Sequence, residues 1–342
     1  MNKYFPPHHR PGLFRTSAWL SAWLTAWGTH PRLKYLGNMN NQPLAANLCS
    51  FTDYKFRVLP LRTIIPVGVA TCTAPSIRGE YFCFEDPQQL LSLLTESLNH
   101  RWDQFYIPDL MVDSIEFEMI KHFCAQHNFL LLIRDHSASY GVDLRNNNFS
   151  NYLKNLGSNT RLKLFNRRAK LTELGELSIT NLWPDTEKFI ALIDQFHWAR
   201  WNKPCFSTRN TTLIVNALNN LTEAGHKIDL SVMSLNDKPL SAMLDINVNG
   251  RIYNVQCGYI ENFMHGISLG TLHFGFQIEA AFNTPGVDYY DFMAGKGKHT
   301  NYKEAIANAQ LDFVSVFIVK PTLLKLAYRV NDYLKGYRQP DI

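Results

Sequence analysis

Residues 227–260, KIDLSVMSLNDKPLSAMLDINVNGRIYNVQCGYI, restrict the fold more than any other stretch of this chain. Two short polar turns, Asn236-Asp237 and Asn249-Gly250, divide it into three apolar-rich runs. Asn, Asp and Gly tolerate the positive φ that two-residue hairpin turns demand, so the run reads as a three-stranded antiparallel meander. The helical GTLHFGFQIEAAF follows at once, then the strand VDYYDFM, the short helix YKEAIAN and the strand LDFVSVFIVK. Upstream, LSITNLW reads as a strand, and PDTEKFIALIDQFHWARW and STRNTTLIVNALNNLTEAG as helices opened by Asp185 and Ser207. From residue 177 the predicted order is therefore β, α, α, three antiparallel strands, α, β, α, β. Local strand pairing interleaved with helices places the chain in the α+β class.

The earlier residues have a similar vocabulary. A helix over 13–27, capped by Thr16 or Ser17, carries Trp19, Trp23 and Trp27 at helical spacing. Its apolar run is about a dozen residues, too short for a bilayer crossing that needs about 20, so it reads as a core-docked helix or an interfacial anchor. A hairpin turning at Asn38 to Gln42, a helix after the cap Asp86, the strand QFYIPDL, the helix SIEFEMIKHFCAQHN and a strand to Leu144 follow. The polar seam LRNNNFSNYL, 144–153, is the best boundary. Beyond it a helix with Lys154, Arg161, Lys163, Arg167, Arg168 and Lys170 has no acid until Glu173. We read domains at 1–145, 146–320 and a basic amphipathic helix at 321–342.

Composition narrows the function. With 46% hydrophobic residues in 342, the chain has ample material for a core. A net charge of +5 suits anionic ligands and is too small to imply duplex nucleic acid. None of the six cysteines forms a C-x-x-C pair and no His/Cys spacing suggests a metal, so reduced thiols and no metal are expected. The opening MNKYFPPHHRPGLF has no apolar secretion core, and a cytoplasmic location is expected. The basic helix at 321–338 adds the expectation of peripheral contact with a membrane or envelope machinery.

Several words now fall in order: Phe14 with SAWLSAWL; Tyr152, Leu153, Leu156, Arg161, Arg167, Arg168 and Leu171; His197, Arg200 and Trp201; Gly258 and Tyr259; Ser268 and Gly270; and Tyr290, Asp291, Phe292, Gly295, Tyr302 and Lys303. In this order the chain resembles GNAT-fold acyltransferases of the CelD/FemAB-like bacterial branch. The resemblance implies tandem GNAT-like domains, each a mixed, mostly antiparallel sheet flanked by helices, with the acyl-donor site in the second. An extra KGKHTN between Gly295 and Tyr302 departs from the family pattern and loosens the placement of Lys303.

Candidate site residues follow. A helix start offers unpaired N–H donors and the positive dipole end to an anion. Gly266, Ser268, Gly270 and Thr271 stand at such a start, where the resemblance places the pyrophosphate of coenzyme A; an ordinary capped helix is the alternative. The resemblance also implies that the strands around Cys257, Gly258, Tyr259 and around Phe292 part to admit the pantetheine arm. Cys257 lacks a His or acid partner at nucleophile spacing. The GKGKHTNYK stretch lacks Walker spacing, and Lys296 and Lys298 read as solvated. By resemblance, Lys303 stabilises the oxyanion and Tyr302 protonates the leaving thiolate, while Asp291 and, more weakly, Asp245 handle the amine or pair with a cation. Arg167, Arg168, Arg200 and Trp201 would frame an acceptor groove, or else be a solvated face and a packed Trp.

The expected function is acyl-CoA-dependent N-acylation, with acetyl-CoA or a longer acyl-CoA as donor. The acceptor would be a small molecule or nucleotide sugar of a cell-envelope or exopolysaccharide precursor. An aminoacyl-tRNA-dependent peptidoglycan-bridge transferase and a non-catalytic binding module remain open. Acyl length, general base and oligomeric state are not legible.

Overall fold

The computed structural model describes residues 12–36, 48–55, 59–69, 77–79, 87–294 and 301–334. In chain order the elements are α1 (Ser17–Trp27), β1 (Leu33–Tyr35), β2 (Leu48–Lys55), β3 (Leu59–Pro66), α2 (Pro87–Ser97), β4 (Gln104–Met111), α3 (Ile115–Gln126) and β5 (Leu130–Asp143). There follow α4 (Phe149–Asn155), α5 (Ser158–Arg161), a π turn (Leu162–Asn166), α6 (Arg167–Thr172), β6 (Leu177–Asn181), α7 (Thr186–Trp201) and α8 (Thr208–Glu223). The last are β7 (Lys227–Leu235), β8 (Lys238–Val248), β9 (Arg251–Tyr259), α9 (Leu269–Phe282), β10 (Tyr289–Ala294), α10 (Asn301–Ile306), β11 (Ala309–Val319) and α11 (Thr322–Leu334). The turn at Asn38 to Gln42, the cap Asp86, Gly295, Lys296, Lys298 and the residues after Leu334 lie outside the described residues.

The chain forms two compact units, one of residues 139–310 and one of 12–138 with 311–334. In the second, strands run β1-β2-β3-β4-β11. β3 and β4 are parallel over only Thr63↔Gln104 and Ile64↔Phe105. Leu90 and Leu94 of α2 and Phe117 and Ile120 of α3 pack with Phe105, Ile107, Val314 and Val316 in its core. Trp19 and Trp23 of α1 are buried, and Thr16 accepts from the Trp19 N–H as the helix cap.

In the unit of residues 139–310 the order is β5-β10-β9-β8-β7-β6. The expected meander is β7–β8–β9, antiparallel throughout. Its turns have positive φ at Asn236 (47°), Asp237 (61°), Asn249 (52°) and Gly250 (86°), as primed hairpin turns require. Neighbouring β9 residues face opposite ways: Cys257 packs with Phe274 and Leu164, while Gly258 lies under Ile193 and Phe196 of α7. α9 and α7 thus cover opposite faces of this sheet.

Both units share the order three strands, helix, strand, helix, and both carry the same irregularity. On β4, Pro108 and Asp109 stand opposite Ser315, and Asp109 has φ 46°. On β10, Phe292 and Met293 stand opposite Tyr140, and Met293 has φ 63°. Each is a β-bulge that bends the strand and ends its pairing on the other edge.

One sequence expectation is revised. The basic stretch 152–174 is not a continuous helix: it breaks at Leu156, with ψ 145°, and restarts at Ser158. Its second part widens into the π turn, whose Leu164 carbonyl lies against Gly275 of α9; a Cβ on Gly275 would stand 2.0 Å from that oxygen. No helix among the described residues is long and apolar enough to cross a membrane.

Candidate active site

β9 and β10 are parallel neighbours for three residue pairs, ending at Asp291↔Tyr253. β9 continues to Tyr259 and β10 to Ala294 without further pairing between them. Side chains satisfy the freed edges. On β9, the Cys257 N–H donates to Gln256 Oε1 at 3.0 Å, and His197 hydrogen-bonds to the Cys257 backbone. On β10, Lys303 Nζ donates to the carbonyls of Phe292 (2.5 Å) and Met293 (3.3 Å). Main-chain groups that a closed sheet would pair with each other are held instead by Gln256, His197 and Lys303.

The strands part beside a cavity of about 430 Å3 lined by Tyr259, Ser268, Gly270, Thr271, Phe274 and Tyr302, with Asn159, Thr160, Lys163, Ala305 and Ile306. α9 starts at this cavity. Its cap residue Ser268 makes no side-chain cap bond; its hydroxyl pairs with Thr271 Oγ1 at 2.9 Å instead. The first intrahelical bond is Leu272 N–H to Ser268 O, so the preceding amides have no partner within the helix. Gly270 lets Tyr259 approach: a Cβ there would stand 2.7 Å from Tyr259 Cε1. Gly266 lies outside the lining, in the preceding loop at φ 79°, near the Arg167 guanidinium. Arg167 Nε is buried without a hydrogen-bond partner. Uncapped amides, a half-buried arginine and the exposed Lys163 fit an anionic ligand tail.

Burial governs ionisation here. It raises Tyr302 and Tyr259, keeping both phenols protonated, and raises Cys257, which stays a thiol. Burial also lowers Lys303 below its ordinary value, against the opposing pull of Cys257 and Asp291. His197 is lowered too, again chiefly by burial.

The remaining sequence candidates have protein partners of their own. Asp291 accepts from Arg251 Nη2 (2.6 Å), Ser139 Oγ (2.6 Å) and the Met293 N–H (2.7 Å), which ties it to the bulge. Arg168 pairs with Glu279 and stacks over Phe276 at 3.7 Å. Arg200 donates to the Tyr259 hydroxyl at 3.2 Å, pairs with Glu261 at 2.9 Å and lies over Trp201, which is half-exposed. Asp245 is buried, accepting from Tyr290 (2.5 Å), Asn254 (2.7 Å) and Gln277 (3.3 Å). Among the described residues no His, Cys, Asp or Glu cluster could hold a metal ion. Sequence reasoning did not assign Gln256, Asn159, Thr160 or Lys163 to the site; only Lys163 had a signal, as one cation of the basic run.

Asp245 yields a pH prediction. Burial, only partly offset by its hydrogen bonds, raises it from the ordinary 3.8 to about 7. The folded state then holds a proton that the unfolded state has released. This contribution to stability is complete below the ordinary value and is lost as pH rises through 7. Thermal melts should show Tm falling by a few degrees between pH 5 and 7.5, and Asp245→Asn should remove that part of the slope. An unchanged slope in the variant would assign the dependence to another group.

Residues 158–304 match the family model described as Acetyltransferase (GNAT) domain. No curated protein matches the chain by sequence. Solved structures share its fold at low identity. FemX is 11% identical over 94% of this chain and 95% of its own, with a TM-score of 0.59. A conserved protein of unknown function from Bacteroides thetaiotaomicron VPI-5482 is 10% identical over 92% and 94%, TM-score 0.55. L-PGS from Bacillus licheniformis is 10% identical over 96% and 99%, TM-score 0.51. With the two units of like element order, the fold is a tandem GNAT-like α+β architecture. Residues 158–304 are thus similar to a GNAT acetyltransferase domain, and the protein is an acyltransferase.

Proposed function

We propose that the protein transfers an acyl group from a coenzyme A thioester to an amine of a cell-envelope or exopolysaccharide precursor. The observation that carries this reading is the parting of β9 and β10 beside a cavity at the uncapped start of α9. A thioester arm lying between the strands would take the Cys257 N–H now held by Gln256. That N–H would polarise the thioester carbonyl. The amine nitrogen bonds to the carbonyl carbon, the carbon–sulfur bond breaks, and the proton lost by the amine returns to the thiolate through a phenol. Tyr302 and Tyr259, kept protonated by burial, suit that last role. An ammonium has three N–H donors; two of those on Lys303 hold Phe292 and Met293, and the third is available to the developing oxyanion. On the acceptor side, half-exposed Trp201 lies against Arg200, an apolar face beside a cation that suits a phosphorylated sugar.

Calorimetric titration with coenzyme A tests the reading. Micromolar binding is expected, and Gly270→Ala, which drives Tyr259 out of place, should weaken it by ~10-fold or more. No binding to coenzyme A, with retention on aminoacyl-tRNA, would move the donor to the aminoacyl class, to which the FemX likeness in fold also leads.

A further inference from the structure

Helix α11 is mounted with its polar side inward. Tyr328 donates to Gln104 Oε1 at 2.6 Å, and its ring lies under the Arg134 guanidinium at 4.7 Å. Arg134 Nη1 donates to the buried Asp332 at 2.9 Å, and Lys325 Nζ donates to the Asn128 carbonyl. The opposite side is apolar and open to solvent: Leu323 is 82% exposed, Leu326 58%, Val330 49%, Tyr333 85% and Leu334 76%. At about 100° per residue these five fall within an arc of roughly 100°, facing away from Tyr328 and Asp332. A helix that contributed only to the core would be turned the other way.

We propose that this outward face of α11 docks on an anionic lipid surface, lying in the plane of the headgroups. Charge argues for lipid. The exposed Arg329 borders the stripe, Lys320 precedes the helix, and the one acid of the helix, Asp332, is buried against Arg134 on the inward side with Lys325. Nothing negative on the helix faces outward, so its flanks complement anionic headgroups while the apolar stripe enters the acyl boundary. Area argues against a second copy, because five side chains fall well short of the about 20–30 residues a side of a stable protein interface. The docking face belongs to the unit of residues 12–138 with 311–334, and the inference does not depend on which acyl donor is used.

Co-sedimentation of the full chain with vesicles tests it, using phosphatidylcholine alone and phosphatidylcholine mixed with phosphatidylglycerol. The protein should sediment with the mixed vesicles and stay in solution with the neutral ones. Leu326→Glu with Val330→Glu should lower the bound fraction by ~10-fold or more, and Arg329→Glu alone should lower it several-fold. Circular dichroism should be unchanged in both, since the altered side chains are exposed. Wild-type protein that ignores anionic vesicles, or variants that sediment as the wild type does, overturns the proposal. So does a concentration-dependent dimer that the double substitution abolishes with no lipid binding.

Discussion

Lys303→Ala should lower kcat by one to two orders of magnitude while leaving donor affinity within a few-fold. Two effects combine. The ammonium holds the carbonyls of Phe292 and Met293 on the open edge of β10, and its third proton is left for the negative charge that develops in the proposed reaction. Removing a preorganised oxyanion donor costs up to ~100–1,000-fold in turnover, and the Cys257 N–H that remains would moderate the loss here. A purely structural lysine would instead lower Tm and leave kcat almost unchanged, so steady-state kinetics and thermal melts on one preparation separate the roles. The pH profile adds a third readout. Burial lowers Lys303 below its ordinary value. Activity that needs the ammonium should therefore fall on the alkaline side before pH 10.5, and that limb should be missing from the residual activity of the variant. Unchanged kcat removes Lys303 from the chemistry.

Gly275→Ala should be the most damaging single methyl in the unit of residues 139–310. Its Cβ would stand 2.0 Å from the Leu164 carbonyl oxygen, a backbone atom that no rotamer change can move aside. Either α9 shifts or the π turn unwinds. Overpacking of this kind costs about 1–3 kcal/mol, occasionally more, or a Tm lower by roughly 2–12 °C for a domain of this size. The π turn also carries Lys163 to the cavity, so coenzyme A binding should weaken together with stability. Gly157→Ala is the control: a Cβ there meets nothing within 4 Å, and stability should change by less than about 0.5 kcal/mol. Equal melts for the two variants would mean that the π turn yields freely.

The contrast between these glycines also marks what could be read beforehand. The β7–β9 meander was legible because Asn236-Asp237 and Asn249-Gly250 announce their turns locally, and the backbone has positive φ at all four. The break in the basic helix was not, since the π turn forms against Gly275, more than a hundred residues on. Distance likewise hid the partners of the charged candidates. Arg168 meets Glu279 and Asp291 meets Arg251 through the fold, so local spacing could not separate a cation that grips a ligand from one that holds a helix. Within the site, Tyr259, Ser268, Gly270 and Tyr302 were singled out through words shared with a family and Thr271 by its place at a helix start, and all five line one cavity. Gln256 escaped notice, and His197 was named only within a family word, because their role, satisfying an abandoned strand edge, exists only once β9 and β10 diverge.

The path of the chain through its two units bears on how it is made. Residues 139–310 are continuous, whereas β4 must wait for β11, encoded some two hundred residues later, to fill its second edge. A ribosome therefore releases residues 139–310 as one run while the unit of residues 12–138, begun before it, still has a bare edge on β4. Of the two units, the one begun earlier is finished later, and a truncation just after residue 310 would keep every residue of the candidate site yet leave β4 open to aggregation.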